Sequence, residues 1–104
     1  QGLGQALMER TIYDETGQLL TGSFMDYTVP RADTMVDIDF THQGVKSLNN
    51  EMGIKGCGEA GTVGACAAVM NAIQNALDPL DVGFIDMPAT PDRLWQQIQR
   101  ASSK

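Results

Sequence analysis

Apolar residues recur at helical spacing in three parts of the chain. Residues 3–10 place Leu3, Ala6 and Leu7 on one face of a short helix. Residues 65–77 follow the i, i+3, i+4, i+7 rule more closely. The buried face predicted for this second helix consists of Ala65, Ala68, Val69, Ala72, Ile73, Ala76 and Leu77. Because that face is mostly alanine, the helix can lie very close to its neighbour.

Proline residues mark where the second helix ends and where a third begins. Proline disfavours helical geometry in the residue before it, so Asp78-Pro79 ends the second helix. Thr90 and Pro91 have the residue types of an N-cap and a first helical position. The last helix then carries an apolar stripe of Leu94, Trp95 and Ile98. This spacing favours Trp95 as a core residue rather than a substrate platform.

Shorter segments between these helices predict strands. Residues 11–15 and 18–24 have strand character, and Gly17 in the turn between them can take a positive φ. Residues 36–40 alternate between apolar and acidic side chains, and residues 82–86 form a further candidate. The sequence therefore predicts an α+β fold, a small mixed α/β piece with helices packed on a short, largely antiparallel sheet. We expect one domain over residues 1–104.

Composition and charge narrow the classes of function. The 104 residues carry a net charge of −6, from 13 acidic and 7 basic side chains, and the basic residues do not cluster. A phosphate backbone would be repelled, so nucleic acid is not an expected partner. No apolar run approaches the ~20 residues of a membrane span. Cys57, Cys66 and His42 are too few for a zinc site, and the cysteines are expected to be ordinary thiols, with a disulfide open in principle.

The segment richest in chemistry is the glycine-rich stretch over residues 41–64. Its last part, G-C-G-E-A-G-T-V-G at residues 56–64, places Glu59 among glycines just before the alanine-rich helix. Such a loop exposes backbone N–H groups that could hold an anionic cofactor such as a phosphate or a pterin. The alternative is that Glu59 only stabilises the N-terminal end of a helix. The spacing by itself favours this second interpretation.

Five segments, in order, resemble one enzyme family. Residues 52–65, M-G-I-K-G-C-G-E-A-G-T-V-G-A, resemble the G-V-K-G-x-G-E-A-G-T-x-G-A segment of molybdenum hydroxylase large subunits, and V-M-N-A-I at residues 69–73 continues the match. Q-G-L-G-Q-A-L at residues 1–7, the stretch over residues 20–32 and D-M-P-A-T-P-D-R-L-W at residues 86–95 are similar to further family motifs. Cys66 and the Asn50-Glu51 pair depart from the common pattern, and neither alters the Glu59 position.

The resemblance implies the carboxy-terminal part of the molybdenum-binding subunit of a xanthine dehydrogenase/aldehyde oxidase-type hydroxylase. It implies that Glu59 is the catalytic base, which takes a proton from the metal's hydroxyl ligand, and that water supplies the oxygen added to an aldehyde or N-heterocycle. The residues that it places beside the molybdenum-pterin cofactor, with or without an added cytosine nucleotide, are Gln1, Gly58, Ala60, Gly61 and Thr62. For Gln1 the alternative is a solvent-exposed chain end.

The same resemblance implies partners outside this chain. They are the remainder of the large subunit and the iron–sulfur and FAD subunits or domains. The expected compartment of the protein is the cytoplasm, and the alternative is the periplasm. The chain begins at Gln1 without an initiator Met, which favours a segment of a longer protein, inactive by itself. A second hypothesis is a free-standing, non-catalytic remnant that binds a subunit or a pterin.

Overall fold

Helices form where the sequence predicts them, with one addition. The computed structural model describes residues 1–103. Its helices are α1 (Gly2–Leu7), α2 (Ala60–Val63), α3 (Ala65–Leu77) and α4 (Pro91–Ser102), with 3₁₀ turns at Ala32–Thr34 and Asp78–Leu80. The predictions for α3 and for the start of α4 are confirmed. The first helix ends earlier than predicted, at Leu7, and α2 is a single turn without apolar periodicity to announce it.

The predicted helix-on-sheet arrangement is wrong. The chain is 40% helical and 2% strand, with no sheet among the described residues. Residues 36–40 and 82–86 have no partner strand within residues 1–103. A period-two pattern indicates an extended backbone with one face to bury, but a ladder also needs a second backbone alongside. That second backbone is missing here, so Val36 and Phe40 remain 72% and 84% exposed.

The predicted turn at Gly17 forms, although the strands on either side do not extend beyond one bridge. Tyr13 and Leu19 form a single antiparallel bridge, and Gly17 has a φ of 85°. The Asp14 carboxylate accepts hydrogen bonds from the Thr16 hydroxyl at 2.7 Å and from the Gln18 N–H at 2.9 Å. These bonds, the Thr16 one foremost, hold the pKa of Asp14 below its usual range. The loop is therefore ordered by its own side chain rather than by a sheet.

The small core lies where α1 meets α3 and the segment before α4. Ala6, Ile85 and Ala89 are buried, and the Ala89 N–H donates to the Ala6 carbonyl at 2.7 Å. The buried face predicted for α3 is only partly right. Val69, Ile73 and Leu77 are half-buried as predicted, whereas the alanines at positions 68, 72 and 76 are exposed. The side of α3 that faces α1 carries Cys66 in their place.

Two polar side chains fix the segment that joins α3 to α4. The Gln74 side-chain amide donates to the Gly83 carbonyl at 2.9 Å and accepts from the Ile85 N–H at 3.3 Å. Arg93 donates to the carbonyl of Pro88, the second residue of the cis Met87-Pro88 bond, at 2.8 Å. These hydrogen bonds hold residues 83–88 in place, although this segment forms no strand.

The molecule is elongated, and much of its apolar surface is exposed. Its dimensions are 61 × 39 × 27 Å and its radius of gyration is 18.3 Å, against the ~13 Å expected for a compact domain of this length. Trp95, predicted in the core, is 62% exposed on α4. Among residues 1–103, no helix combines the length and apolar character needed to cross a membrane.

Candidate cofactor-binding site

The start of α1 packs against the junction between α2 and α3. A Cβ placed on Gly2 would clash with the Cβ of Ala65 and would lie 3.4 Å from the Thr62 carbonyl oxygen. Gly2 is buried, and no side chain larger than hydrogen fits there without movement. Gln1 directly precedes Gly2, so this contact brings Gln1 to the side of the molecule where the Glu59 turn lies. This region, formed by Gln1, Gly2 and residues 58–65, is called the corner below.

Cys66 adds a polar connection between the same two helices. Its thiol lies 3.6 Å from the Gly2 carbonyl oxygen and 3.4 Å from Oε1 of Gln5, within reach of weak S–H hydrogen bonds. The Gln1 carbonyl in turn accepts the Gln5 N–H at 3.0 Å. Both cysteines are free thiols, Cys57 exposed and Cys66 half-buried. Cys66 is thus a packing residue of the α1–α3 contact.

Glu59 lies at the N-cap position of α2, with its side chain exposed. Its backbone carbonyl accepts the N–H groups of Thr62 at 2.9 Å and Val63 at 3.1 Å, which fixes the turn. The carboxylate makes no capping hydrogen bond, and α2 is only four residues long. Glu59 therefore has the position expected if it only stabilises a helix end, but its side chain makes no capping contact. The carboxylate is available to a group outside the described residues.

The glycines around Glu59 have no explanation in the packing of residues 1–103. A Cβ on Gly58 or Gly61 would meet no heavy atom within 4 Å, and neither residue has a positive φ. Within the described chain, the N–H groups of Gly58, Glu59 and Gly61 donate to no backbone carbonyl. Glycine in such open space is useful when another molecule approaches the backbone closely. The surface fits a ligand with hydrogen-bond acceptors, and a pterin has this chemistry.

The residues assigned to the cofactor by sequence therefore share one corner. Gly58, Ala60 and Gly61 are exposed on the turn, Thr62 is half-buried beside Gly2, and Gln1 is exposed at the start of α1. Gly2, Ala65 and Cys66 join these parts, and the sequence did not mark them as residues of the site. Their only signal was small side chains, which many packed helices share.

An open groove runs up to this corner from the glycine-rich segment. It has a volume of about 710 Å³ and is lined by parts of residues 42–46 and 52–57, including His42, Lys46 and Lys55. Gly53 takes a φ of 68° beside the Lys46 side chain. The groove ends at Cys57, two residues before Glu59. In the described part of the chain, no three His, Cys, Asp or Glu side chains cluster as metal ligands.

Comparison with known proteins defines the class of this site. Residues 1–36, which include α1, match the family of molybdopterin cofactor-binding domains. The nicotine 6-hydroxylase large subunit of Paenarthrobacter nicotinovorans is 39% identical over 94 residues, which are 90% of this chain and 12% of that protein. The carbon monoxide dehydrogenase large chain of Afipia carboxidovorans is 34% identical over 91 residues, 88% of this chain and 11% of that protein.

A solved structure agrees with the sequence comparisons. Quinoline 2-oxidoreductase from Pseudomonas putida 86 is 42% identical and superposes with a TM-score of 0.86, over 95% of this chain and 13% of that one. The chain belongs to the molybdenum hydroxylase family, within its molybdopterin-binding large subunits. It spans about an eighth of the length of the curated relatives it matches. The resemblance carried by the sequence motifs is confirmed.

Proposed function

We propose that this chain supplies the base and part of the cofactor cradle of a xanthine dehydrogenase/aldehyde oxidase-type hydroxylase. The reaction converts a substrate C–H group to C–OH with one water molecule and releases two electrons and two protons. Iron–sulfur clusters and FAD, expected elsewhere in the complex, would accept these electrons. The observation that carries the proposal is the exposed Glu59 carboxylate, which makes no capping hydrogen bond. It lies on a turn where a Cβ added to Gly58 or Gly61 would have no heavy atom within 4 Å.

The proposed roles divide the chemistry between cofactor and protein. The molybdenum-pterin supplies two-electron redox chemistry when bound, and the protein positions it and moves protons. Glu59 is the base that accepts a proton during the attack on the substrate carbon. The N–H groups of Gly58 and Gly61 are available to hold the cofactor, and Gln1 and Thr62 lie at the same corner. The proposal covers both forms of the cofactor, the pterin with an added cytosine nucleotide and the pterin without it.

The relatives favour an aromatic N-heterocycle as the first substrate class to test. Two of the proteins compared above are named for action on nicotine and on quinoline, both of which contain a pyridine ring. Aldehydes are the second class, because an aldehyde oxidoreductase subunit from Escherichia coli is also similar, at 32% identity. The Afipia relative is named for carbon monoxide. Turnover of carbon monoxide, and of neither other class, would exclude both heterocycles and aldehydes as substrates.

The test compares two substitutions of the same kind in the complete large subunit. Glu59→Gln keeps the size of the side chain but removes the base, so we expect turnover of quinoline or nicotine to fall by about 10²–10⁴-fold. Molybdenum content should stay near the wild-type value because the backbone N–H groups are unchanged. Both quantities are measured on the same preparation, by steady-state kinetics and metal analysis.

The matched control is Glu51→Gln, at an exposed turn residue eight positions earlier. It removes the same charge and should leave both turnover and molybdenum near wild type. Near-normal turnover of Glu59→Gln would exclude Glu59 as the base. A wild-type subunit that contains neither molybdenum nor activity would favour the non-catalytic, subunit- or pterin-binding alternative.

A further inference from the structure

We infer that the contact between Gly2 and Ala65 is a positioning contact, which sets the relative placement of the Gln1 and Glu59 parts of the site. The inference rests on the proposed function, because it concerns the geometry of that same site. Neither residue is assigned a role by the family comparison, and the sequence predicts for Ala65 only a place on the buried face of α3. They form one close approach between the first residues of two helices, and the site residues lie just before them in the chain, Gln1 before α1 and the Glu59 turn before α3.

The contact leaves no spare volume. A Cβ on Gly2 would clash with the Ala65 Cβ, lie 3.5 Å from the Ala65 Cα and lie 3.4 Å from the Thr62 carbonyl oxygen. The Cβ of Ala65 therefore accounts for the whole clash, and the other two separations are ordinary contacts. Packed interiors respond to one added methyl group, because few voids exist to absorb it.

Helix α1 cannot move away from α3 to relieve such a clash. On its other side, the Cβ position of Gly4 lies 2.7 Å from Cδ and Cγ of Pro30. Ala6 is fully buried, and its carbonyl accepts the Ala89 N–H at 2.7 Å. These neighbours fix α1 between α3 and the loops at Pro30 and Ala89.

The turn before α3 has fewer contacts than α1. Glu59, Ala60 and Gly61 are exposed, and Gly61 and Gly64 have open space around them. A displacement caused by a methyl group on Gly2 should therefore appear in this turn. The distance between the Glu59 carboxylate and Gln1 changes with it. Misplacement of a reacting group by about 1 Å can lower a rate by ~10²-fold.

The experiment is a double-mutant cycle at these two positions in the complete holoenzyme. The variants are Gly2→Ala, Ala65→Gly and the combination of both. The combination restores the space, because the only clashing atom has been removed. For Gly2→Ala we expect kcat to fall by ~10–100-fold with KM within about threefold of wild type. The combination should recover kcat to within about threefold of Ala65→Gly alone.

Two readouts separate positioning from general destabilisation. Molybdenum content should be similar in all variants. The molybdenum(V) electron paramagnetic resonance signal of the reduced enzyme should change in Gly2→Ala and return to its original form in the combination. Gly4→Ala is the specificity control: it also crowds α1, but against Glu9 and Pro30, so Ala65→Gly should not rescue it.

The outcomes are decisive in either direction. Wild-type kcat in Gly2→Ala, or no recovery in the combination, overturns the positioning role. If Gly2→Ala does not accumulate, Ala65→Ser crowds the same contact by one atom and must reduce kcat and alter the signal, or the inference fails. A wild-type enzyme without molybdenum and turnover contradicts the proposed function instead, so the two failures are distinguishable.

Discussion

At the scale of single residues, Tyr27 shows a contact that the sequence does not reveal. Its hydroxyl donates to Oε2 of Glu9 at 2.6 Å, across 18 positions of sequence, and joins the end of α1 to the loop before Pro30. This bond, helped by partial desolvation and the negative charge of Glu9, raises the pKa of Tyr27 above its usual value. No spacing rule connects the two residues, because both lie beyond the end of α1 at Leu7 and the chain between them follows no regular period.

This bond predicts a change in stability at alkaline pH. Because the Tyr27 pKa is raised in the folded state, its stabilising effect is complete below the ordinary tyrosine pKa of about 10. The effect is lost as the pH rises through the raised value. Tyr27→Phe should lower the melting temperature of the complete subunit at pH 8, and this difference should shrink above about pH 10. The measurement is thermal denaturation across that pH range.

Tyr13→Phe is the matched control, at an exposed tyrosine whose hydroxyl makes no hydrogen bond within the described residues. A pH-independent difference between wild type and Tyr27→Phe would contradict the role of the Glu9 bond.

The candidate site was predictable in part. The motif resemblance identified Glu59, Gly58 and Gly61, and the structure leaves these residues open to a ligand. It could not identify Gly2 and Ala65 as a pair, since 63 positions separate them and only the fold makes them neighbours. Glycine and alanine also carry no chemistry that would mark them in a sequence.

At the scale of elements, helix ends were more predictable than helix faces or strands. Helix α3 ends at Leu77 and α4 begins at Pro91, as predicted, although Asp78 keeps helical angles in a 3₁₀ turn and Thr90 makes no capping hydrogen bond. The face of α3 was assigned wrongly in part because alanine recurs around much of the helix, and alanine suits a buried or an exposed position equally. The strand predictions failed for a different reason: residues 36–40 and 82–86 have no partner strand among residues 1–103, and residues 11–15 and 18–24 share only one bridge.

The Gln74 side chain is expected to stabilise the irregular segment after α3 through its hydrogen bonds to Gly83 and Ile85. Gln74→Ala removes both hydrogen bonds to residues 83–85, so amide hydrogen exchange at Ile85 should become faster in the complete subunit. The two lost neutral bonds should together lower the free energy of unfolding by about 1–3 kcal/mol. Hydrogen exchange with mass spectrometry measures the first effect, and denaturant titration the second.

Gln96→Ala on the exposed side of α4 is the control, because that side chain makes no hydrogen bond in the described part of the chain. Unchanged exchange at Ile85 in Gln74→Ala would show that packing alone holds the segment.

At the scale of the whole molecule, the chain has the surface of a part rather than of an independent domain. Its core consists of a few small side chains, while the large apolar side chains of Phe24, Met25, Phe40, Leu48 and Phe84 are more than four-fifths exposed. A soluble domain rarely exposes so much apolar area in the absence of a binding partner. This chain covers about an eighth of its relatives, and we propose that the rest of a large subunit covers this surface.

Oxidative footprinting of the complete subunit tests this relation. Met25 is 94% exposed and Met52 is 78% exposed in this structure, so both should react readily in the isolated 104-residue chain. In the complete subunit we expect their oxidation to slow by about tenfold, since a buried apolar side chain is shielded from solvent. Equal rates of methionine oxidation in the two samples would contradict burial by the rest of the subunit.

The exposed apolar surface also has a consequence for the life of this chain in a cell. Chaperones and proteases act on unfolded or uncovered apolar segments and continuously remove them. A large subunit in which this surface is left uncovered, for example by truncation, would therefore be short-lived, and its steady-state amount in the cell would be low.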